Sequence, residues 1–431
     1  MNNTYRLLWT ALALLWAGAC AAAPVCYDVT DYGAVPDGAS DCTGAFQRAL
    51  DAAFFDGGGS VFAPAGSYAV KGNLVVRSGV WLEGAYRAEP VPGGEAAPGA
   101  PGQGTALLAF AGRNRPQDRP FIELEGTNCG VKGLAIYYPD NTGSDAPPAP
   151  YPPCIAGYRG NTQSVMDVML ANPYEGLRFV GIGRCHISRV CGYPAKRGLY
   201  IDKCLDITRV EDCHFRPLGE AETSARSRWT GRFGVAYEFG RTDWQYVLDC
   251  SCSGYGVGYR FSRSPSGCCN GSFLGIGAFD CAVGVRVDAV SKPGLLITNG
   301  QFSGRPGSRD SVGVWTLATS PGKVSLTNCS FAGPMDACVS HCSPGFLSVT
   351  GCHFGSADSR ALDLAAGSAV ISGSSFGPAG EHIRIGDRAG RAVITGNTAP
   401  GGLRVTNRDK DGVETDLPEE AFREGDAAGG L

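Results

Sequence analysis

Three things are scarce in this 431-residue sequence, and each absence narrows what it can be. Charge does not come in blocks: charged residues make up 18% of the chain and the net charge is −4. There is no basic stripe to hold nucleic acid and no acidic run serving solvation alone. Long hydrophobic runs are also missing, since beyond the N-terminus no stretch approaches the roughly 20 apolar residues of a membrane-spanning helix. The third scarcity is change in composition. The 63 glycines and the 10% of aromatic residues are spread along most of the length, so nothing forces a division into two domains.

At the N-terminus Arg6 precedes an apolar run from Leu7 to Ala19 and then the small residues Ala21, Ala22 and Ala23. That order reads as a secretory signal peptide over residues 1–23, so the expected location is secreted or periplasmic. Ala17, Gly18, Ala19 and Cys20 also outline a lipoprotein box, with Cys20 as the lipid-bearing residue. A plain signal peptide competes with it, because the first box position is ordinarily Leu.

What is present is a repeat. Gly176-Leu-Arg-Phe, Gly198-Leu-Tyr-Ile, Gly234-Val-Ala-Tyr, Gly258-Tyr-Arg-Phe, Gly284-Val-Arg-Val, Gly313-Val-Trp-Thr and Gly402-Leu-Arg-Val all read as short strands opened by glycine. The first six starts are spaced 22, 36, 24, 26 and 29 apart, and Ala337, Ala361 and His382 fill the interval to Gly402. A second strand ends each unit in a turn, at 210–215, 297–302, 326–331, 349–354 and 371–376. One column of these turns holds Cys213, Cys250, Gly300, Cys329, Cys352 and Ser374. Such units cannot bury their apolar positions alone, but stacked coils can. Eighteen cysteines in an exported chain would ordinarily suggest disulfides. Their fixed place in the repeat fits a stack of buried thiols instead. Cys250 with Cys252, and the adjacent Cys268 and Cys269, remain open to oxidation.

Ahead of the repeat, residues 27–43 precede an amphipathic helix with Phe46, Leu50 and Ala53 on one face, followed by the segments 57–68 and 75–84. These residues resemble the opening of the pectate-lyase superfamily domain found in polygalacturonase-related and rhamnogalacturonase-like enzymes and in phage tailspikes. The resemblance implies an all-β, right-handed parallel β-helix over residues 24–407, with a short helix capping the end of its core. Asp31, Asp37 and Asp41 read as turn and N-cap residues, not as metal ligands. Residues 86–119 and 139–153 read as surface loops, and 408–431 as a disordered tail.

A solenoid leaves function to outward side chains and insertions, so the widest gap, between Gly198 and Gly234, is the informative place. Its insertion, 216–233, carries Glu220, Glu222, Trp229 and several arginines. Planar aromatics stack on sugars, and charged groups bind hydroxyls or uronates. Aligning the flanking strands puts Arg209 beside Tyr246 and Asp206 beside Asp243, and counting from glycine puts Asp202 level with Glu238. Glycoside hydrolysis would use Asp243 and Glu211 as the carboxyl pair, with His214 tuning one of them. Arg209, Arg241, Trp244, Tyr246, Trp229, Asp202 and Glu238 would then bind substrate. A salt-bridge ladder accounts for Asp202, Glu238 and the arginines equally well, and His214 alone suits a surface turn.

The Asn-Thr-Asp, Asp-Asp, Gly-His-Gly and Arg-Ile-Lys motifs of polygalacturonases are missing, as is a recognisable calcium-binding Asp cluster of the pectate-lyase type. Catalytic residues therefore do not carry over. The expected function is an exported glycoside hydrolase acting on a polysaccharide, with no cofactor and no metal. The alternatives are a polysaccharide lyase on uronates, where calcium could serve, and a noncatalytic glycan-binding or structural solenoid.

Overall fold

The computed structural model describes residues 26–86, 104–142, 145–217, 223–305, 311–355, 360–378, 381–407, 412–415 and 422–423. The expected signal peptide, Cys20, Glu220 and Glu222 lie outside them. Of the expected tail only 412–415 and 422–423 are described, and Val413–Thr415 pairs as one more rung.

The chain is a right-handed parallel β-helix of about 13 turns. Its coils stack strand on strand in three parallel sheets. The first sheet includes Glu175–Val180, Arg197–Asp202, Val235–Phe239, Val257–Phe261, Val283–Val287 and Val312–Thr316. The second includes Arg209–Glu211, Gln245–Leu248, Gly271–Leu274 and Leu295–Thr298, and the third His214–Phe215, Ser251–Ser253 and Gly277–Phe279.

Alternation along each strand builds the core. Leu199 and Ile201 point inward, and so do Tyr237 and Phe239 one coil later, all of them buried. Burying one such side chain contributes about 1.5–3 kcal/mol. Like residues meet in register, as where the rings of Tyr237 and Tyr259 stack at 4.7 Å and those of Phe331 and Phe354 at 5.0 Å.

The turn after the second sheet explains its sequence signature. Asp212, Asp249, Asn299 and Asn328 all have φ between 50° and 56°, and Gly351 and Gly373 take the same place at 63° and 59°. Only Gly, Asn and Asp visit that left-handed region readily. The next residue turns inward: the thiols of Cys213, Cys250, Cys329 and Cys352 are buried and unbridged, and each points at a carbonyl oxygen of the coil before, Cys250 at Val210 and Cys352 at Leu326.

Helix α1, Thr43–Phe55, caps the core through Ala45, Phe46, Ala49, Leu50 and Ala53. Asp41 accepts hydrogen bonds from the N–H groups of Thr43 and Lys71, and Asp37 from those of Ala39 and Ser40. Both therefore do turn chemistry.

Two sequence expectations need correction. Residues 86–119 are not wholly loop, because Thr105–Ala109 forms a strand paired with Gly66–Val70. The phase of the repeat also slips at the insertion. Tyr237, not Val235, pairs with Leu199, so Ala236 is the counterpart of Gly198. The coil starts Gly198, Ala236 and Gly258 are therefore 38 and 22 residues apart. The extra residues include helix α2, Ala225–Phe233, capped by Ser224, whose hydroxyl accepts from the N–H of Ser227.

Candidate functional site on the first sheet

Successive coils place Arg178, Tyr200, Glu238, Arg260, Arg286 and Trp315 in one outward row, each in register with the next. Parallel strands lie roughly 4.8 Å apart, so neighbouring side chains in this row must interact. Ion pairs run along it. Glu175 takes Arg178 at 2.7 Å and Arg197 at 3.4 Å; Arg197 reaches Glu238 at 2.9 Å; Arg260 lies 4.0 Å from Glu238. Asp288 joins Arg260 and Arg286, each at 2.7 Å.

The two signs occupy different depths. Side chains of Glu175, Glu238 and Asp288 are 6%, 7% and 16% exposed, whereas those of Arg178, Arg260 and Arg286 are 32%, 35% and 33% exposed. The carboxylates form an inner layer that holds a guanidinium surface in place. Aromatic rings sit within that surface: Arg178 and Arg197 lie 5.6 Å and 4.7 Å from the Tyr200 ring, and Arg286 lies 5.6 Å from that of Trp315. Burial, with the carboxylates of Asp202 and Glu238 close by, pushes the Tyr200 phenol up to about 12, so it keeps its proton at neutral pH.

Helix α2 borders this face at the corner where the third sheet turns into the first. Its fully buried Arg226 donates to the carbonyls of Asn141, Pro173 and Tyr193 at 2.8, 3.3 and 3.2 Å, which binds the insertion to two successive coils and the loop beside them. Trp229 of α2 packs 5.8 Å from Tyr174, the residue before Glu175, and Lys196 lies 5.3 Å from the same ring.

The residues expected from sequence fall on separate parts of the surface. Glu238 is in the first-sheet row, level with Tyr200 and not with Asp202, because the repeat slips by two at α2. Asp202 accepts from the N–H groups of Lys203 and Arg241 at 2.9 and 2.7 Å and fastens two turns together. Asp243 lies in the turn between the first and second sheets, held by Arg241 at 2.6 Å and by the Asn270 amide at 3.2 Å. Trp244, beside it, is exposed and left-handed, with φ 51°. Arg209 and Tyr246 do meet on the second sheet, in register and 5.9 Å apart. Glu211 is on that sheet too, but its partner is His186. His214 is on the third sheet, bonded to Ser251 at 2.7 Å and Asp212 at 3.0 Å. Asp206 pairs with Arg184 at 2.6 Å.

Sequence reasoning passed over Arg178, Tyr200, Arg260, Arg286 and Trp315, although each is the third letter of a strand signature such as Gly258-Tyr-Arg-Phe. Reading that letter down the coils would have found the row. Among the described residues no three His, Cys, Asp or Glu side chains are grouped to hold a metal ion, and no helix is long and apolar enough to cross a membrane.

Residues 26–107 match the family described as rhamnogalacturonase A/epimerase, pectate lyase-like. Over 72 residues the chain is 46% identical to mannuronan C5-epimerase AlgE5 and 43% identical to alginate lyase 7, both of Azotobacter vinelandii. Those stretches make up 15% of this chain and only 7% and 8% of the two relatives. In three dimensions it is similar to the A-module of mannuronan C-5 epimerase AlgE6 from Azotobacter vinelandii, with 17% identity and a TM-score of 0.53, over 91% of this chain and all of that one. An N-terminal fragment of bacteriophage phi29 gene product 12 gives 12% identity and a TM-score of 0.64, over 94% and 73%. At these identities the likeness is one of fold. The chain is a parallel β-helix whose residues 26–107 match that pectate-lyase-like family.

Proposed function

We propose that this protein binds a uronate-containing polysaccharide along the outward row of the first sheet and acts at the carbon beside the sugar carboxylate, as a lyase or epimerase does. The observation that carries this is the layering: arginines face solvent, with the carboxylates beneath them. Guanidiniums fork onto carboxylates, and neutralising a uronate makes the neighbouring C–H acidic. Arg178, Arg260 and Arg286 suit that task. Tyr200, protonated and flanked by two guanidiniums, suits delivery of a proton to the resulting carbanion. The C–H proton passes to a base, for which Glu238, in register beside Tyr200, is the carboxylate of the row. The electron pair left behind either takes a proton from Tyr200, inverting the centre, or expels the neighbouring glycosidic oxygen, which takes that proton. The names of the relatives matched in sequence, a mannuronan epimerase and an alginate lyase, support the same chemistry.

Hydrolysis needs an accessible carboxylic acid beside the scissile bond. Asp243, in the turn before the second sheet, is paired with Arg241 and Asn270, and Glu211, on that sheet, with His186, so the two do not stand as an opposed carboxyl pair. The reading of residues 1–23 as an export signal would put the protein where such polymers occur.

The test is incubation of the full chain with polyuronates and neutral polysaccharides, following unsaturated uronates by absorbance, inverted centres by NMR, and reducing ends together. Unsaturation or inversion on a polyuronate is expected. Reducing ends without either, or silence on every polyuronate, would overturn the proposal.

A further inference from the structure

The second sheet carries a depression that the first-sheet reading leaves unused. Along one outward row Arg209, Tyr246, Ser272 and Leu296 are in register, and along the next are Glu211, Leu248, Leu274 and Thr298. Small Ser272 stands between Tyr246 and Leu296, which are separated by two strand spacings, or roughly 9.6 Å. A sheet face is ordinarily flat, and here a cleft of about 390 Å3 opens, lined by Arg209, Glu211, Tyr246, Leu248, Ser272 and Leu274. Volumes of roughly 300–1,000 Å3 are those of small-ligand sites. Tyr246, Leu248, Leu274 and Leu296 are all exposed, between 38% and 42%. Tyr246 has Arg209 over its ring, and Glu211 lies against His186 at the cleft edge.

We propose that this cleft is a second saccharide-binding site, which takes one uncharged pyranose ring with its C–H face on Tyr246, Leu248 and Leu274 and its hydroxyls toward Arg209 and Glu211. Three observations choose this occupant. A sugar ring has one apolar face and a polar rim, and this cleft has a largely apolar floor with its charged groups, Arg209 and Glu211, at one end. Charge is balanced there: the Glu211 carboxylate offsets Arg209 and disfavours a uronate, in contrast to the guanidinium surface of the first sheet. The patch is also too small for a second copy of the chain. A stable interface buries roughly 800 Å2 on each partner, whereas here the apolar rows give way to Ser325 and Thr327, then Ser348 and Thr350.

The experiment is calorimetric titration of the full chain with neutral hexaoses of glucose, mannose and galactose, and with a hexauronate, at millimolar ligand. At least one neutral hexaose should bind, and both Tyr246→Ala and Leu274→Asp should weaken it about tenfold or more, each with an unchanged melting temperature. Arg260→Ala should weaken the hexauronate and spare the neutral sugar. Absence of binding by every neutral hexaose, or binding that survives both variants, overturns the proposal. So does self-association in sedimentation that Leu274→Asp abolishes, since the face would then be an interface.

Discussion

The carboxylate of Glu238 lies 2.9 Å from the guanidinium of Arg197 on the preceding coil, and it is the carboxylate that is the deeper of the two. Arg197 also serves Glu175, so one cation neutralises two buried anions. Arg197→Ala leaves both carboxylates short of a partner. The expected loss is about 3 kcal/mol of stability, read as a lower midpoint in thermal unfolding. A midpoint equal to wild type would mean that the row is not held together by these pairs.

Tyr200→Phe removes a hydroxyl and almost no volume. If the phenol delivers a proton, kcat on a polyuronate should fall about a hundredfold with KM nearly unchanged. Asp243→Asn should weaken the clamp from Arg241 and lower the melting temperature while turnover persists. The opposite pattern, with Asp243→Asn inactive and Tyr200→Phe active, would return the chemistry to paired carboxylates.

The thiol ladder makes a separate prediction. Cys329 and Cys352 are buried and each sulfur meets a backbone carbonyl at 3.7 or 3.6 Å. Either changed to Ser should cost about 1 kcal/mol of stability and leave turnover alone. Protein unfolded without reductant should still yield the thiols of Cys213, Cys250, Cys329 and Cys352 to alkylation and mass spectrometry. Recovery of these four as disulfides would refute the ladder.

His341 is buried against Thr316, and burial lowers its imidazole to about 4. An unfolded histidine titrates near 6.5, so as the pH falls the unfolded chain takes up the proton first. The stability this residue contributes is complete above about pH 6.5 and is lost as the pH falls toward about 4, a difference of about 3 kcal/mol. Melting temperatures measured from pH 7 to pH 4 should fall less steeply in His341→Gln than in wild type. Parallel curves would show that His341 does not carry the effect.

Much of the fold was legible because β-helix coils repeat one physical requirement. The left-handed turn admits Asp212, Asn299 or Gly351 and little else, and the inward place after it admits Cys329 or Ser374, so both columns surface as letters in the sequence. Helix α2 was not legible: its stretch is rich in arginine, with little apolar periodicity, and it is pinned by Arg226 to carbonyls 33 to 85 residues away. The two-residue phase slip follows from the same insertion, and it misplaced Glu238 relative to Asp202.

Local chemistry in the sequence determined that the units stack as coils of short strands, which side chains enter the core, and where an amphipathic helix lies, since each depends on alternation, turn residues and one amphipathic face. Only the tertiary structure decided which outward residues share a face. Register between coils assembles Arg178, Tyr200, Glu238, Arg260, Arg286 and Trp315 into one row, and it sends Asp243, Glu211 and His214 to a corner and two different sheets. The physical reason is that hydrogen-bonded pairing fixes neighbours across 22 to 38 residues of chain, while depth, which puts guanidiniums above carboxylates, depends on side-chain length and on partners from other coils.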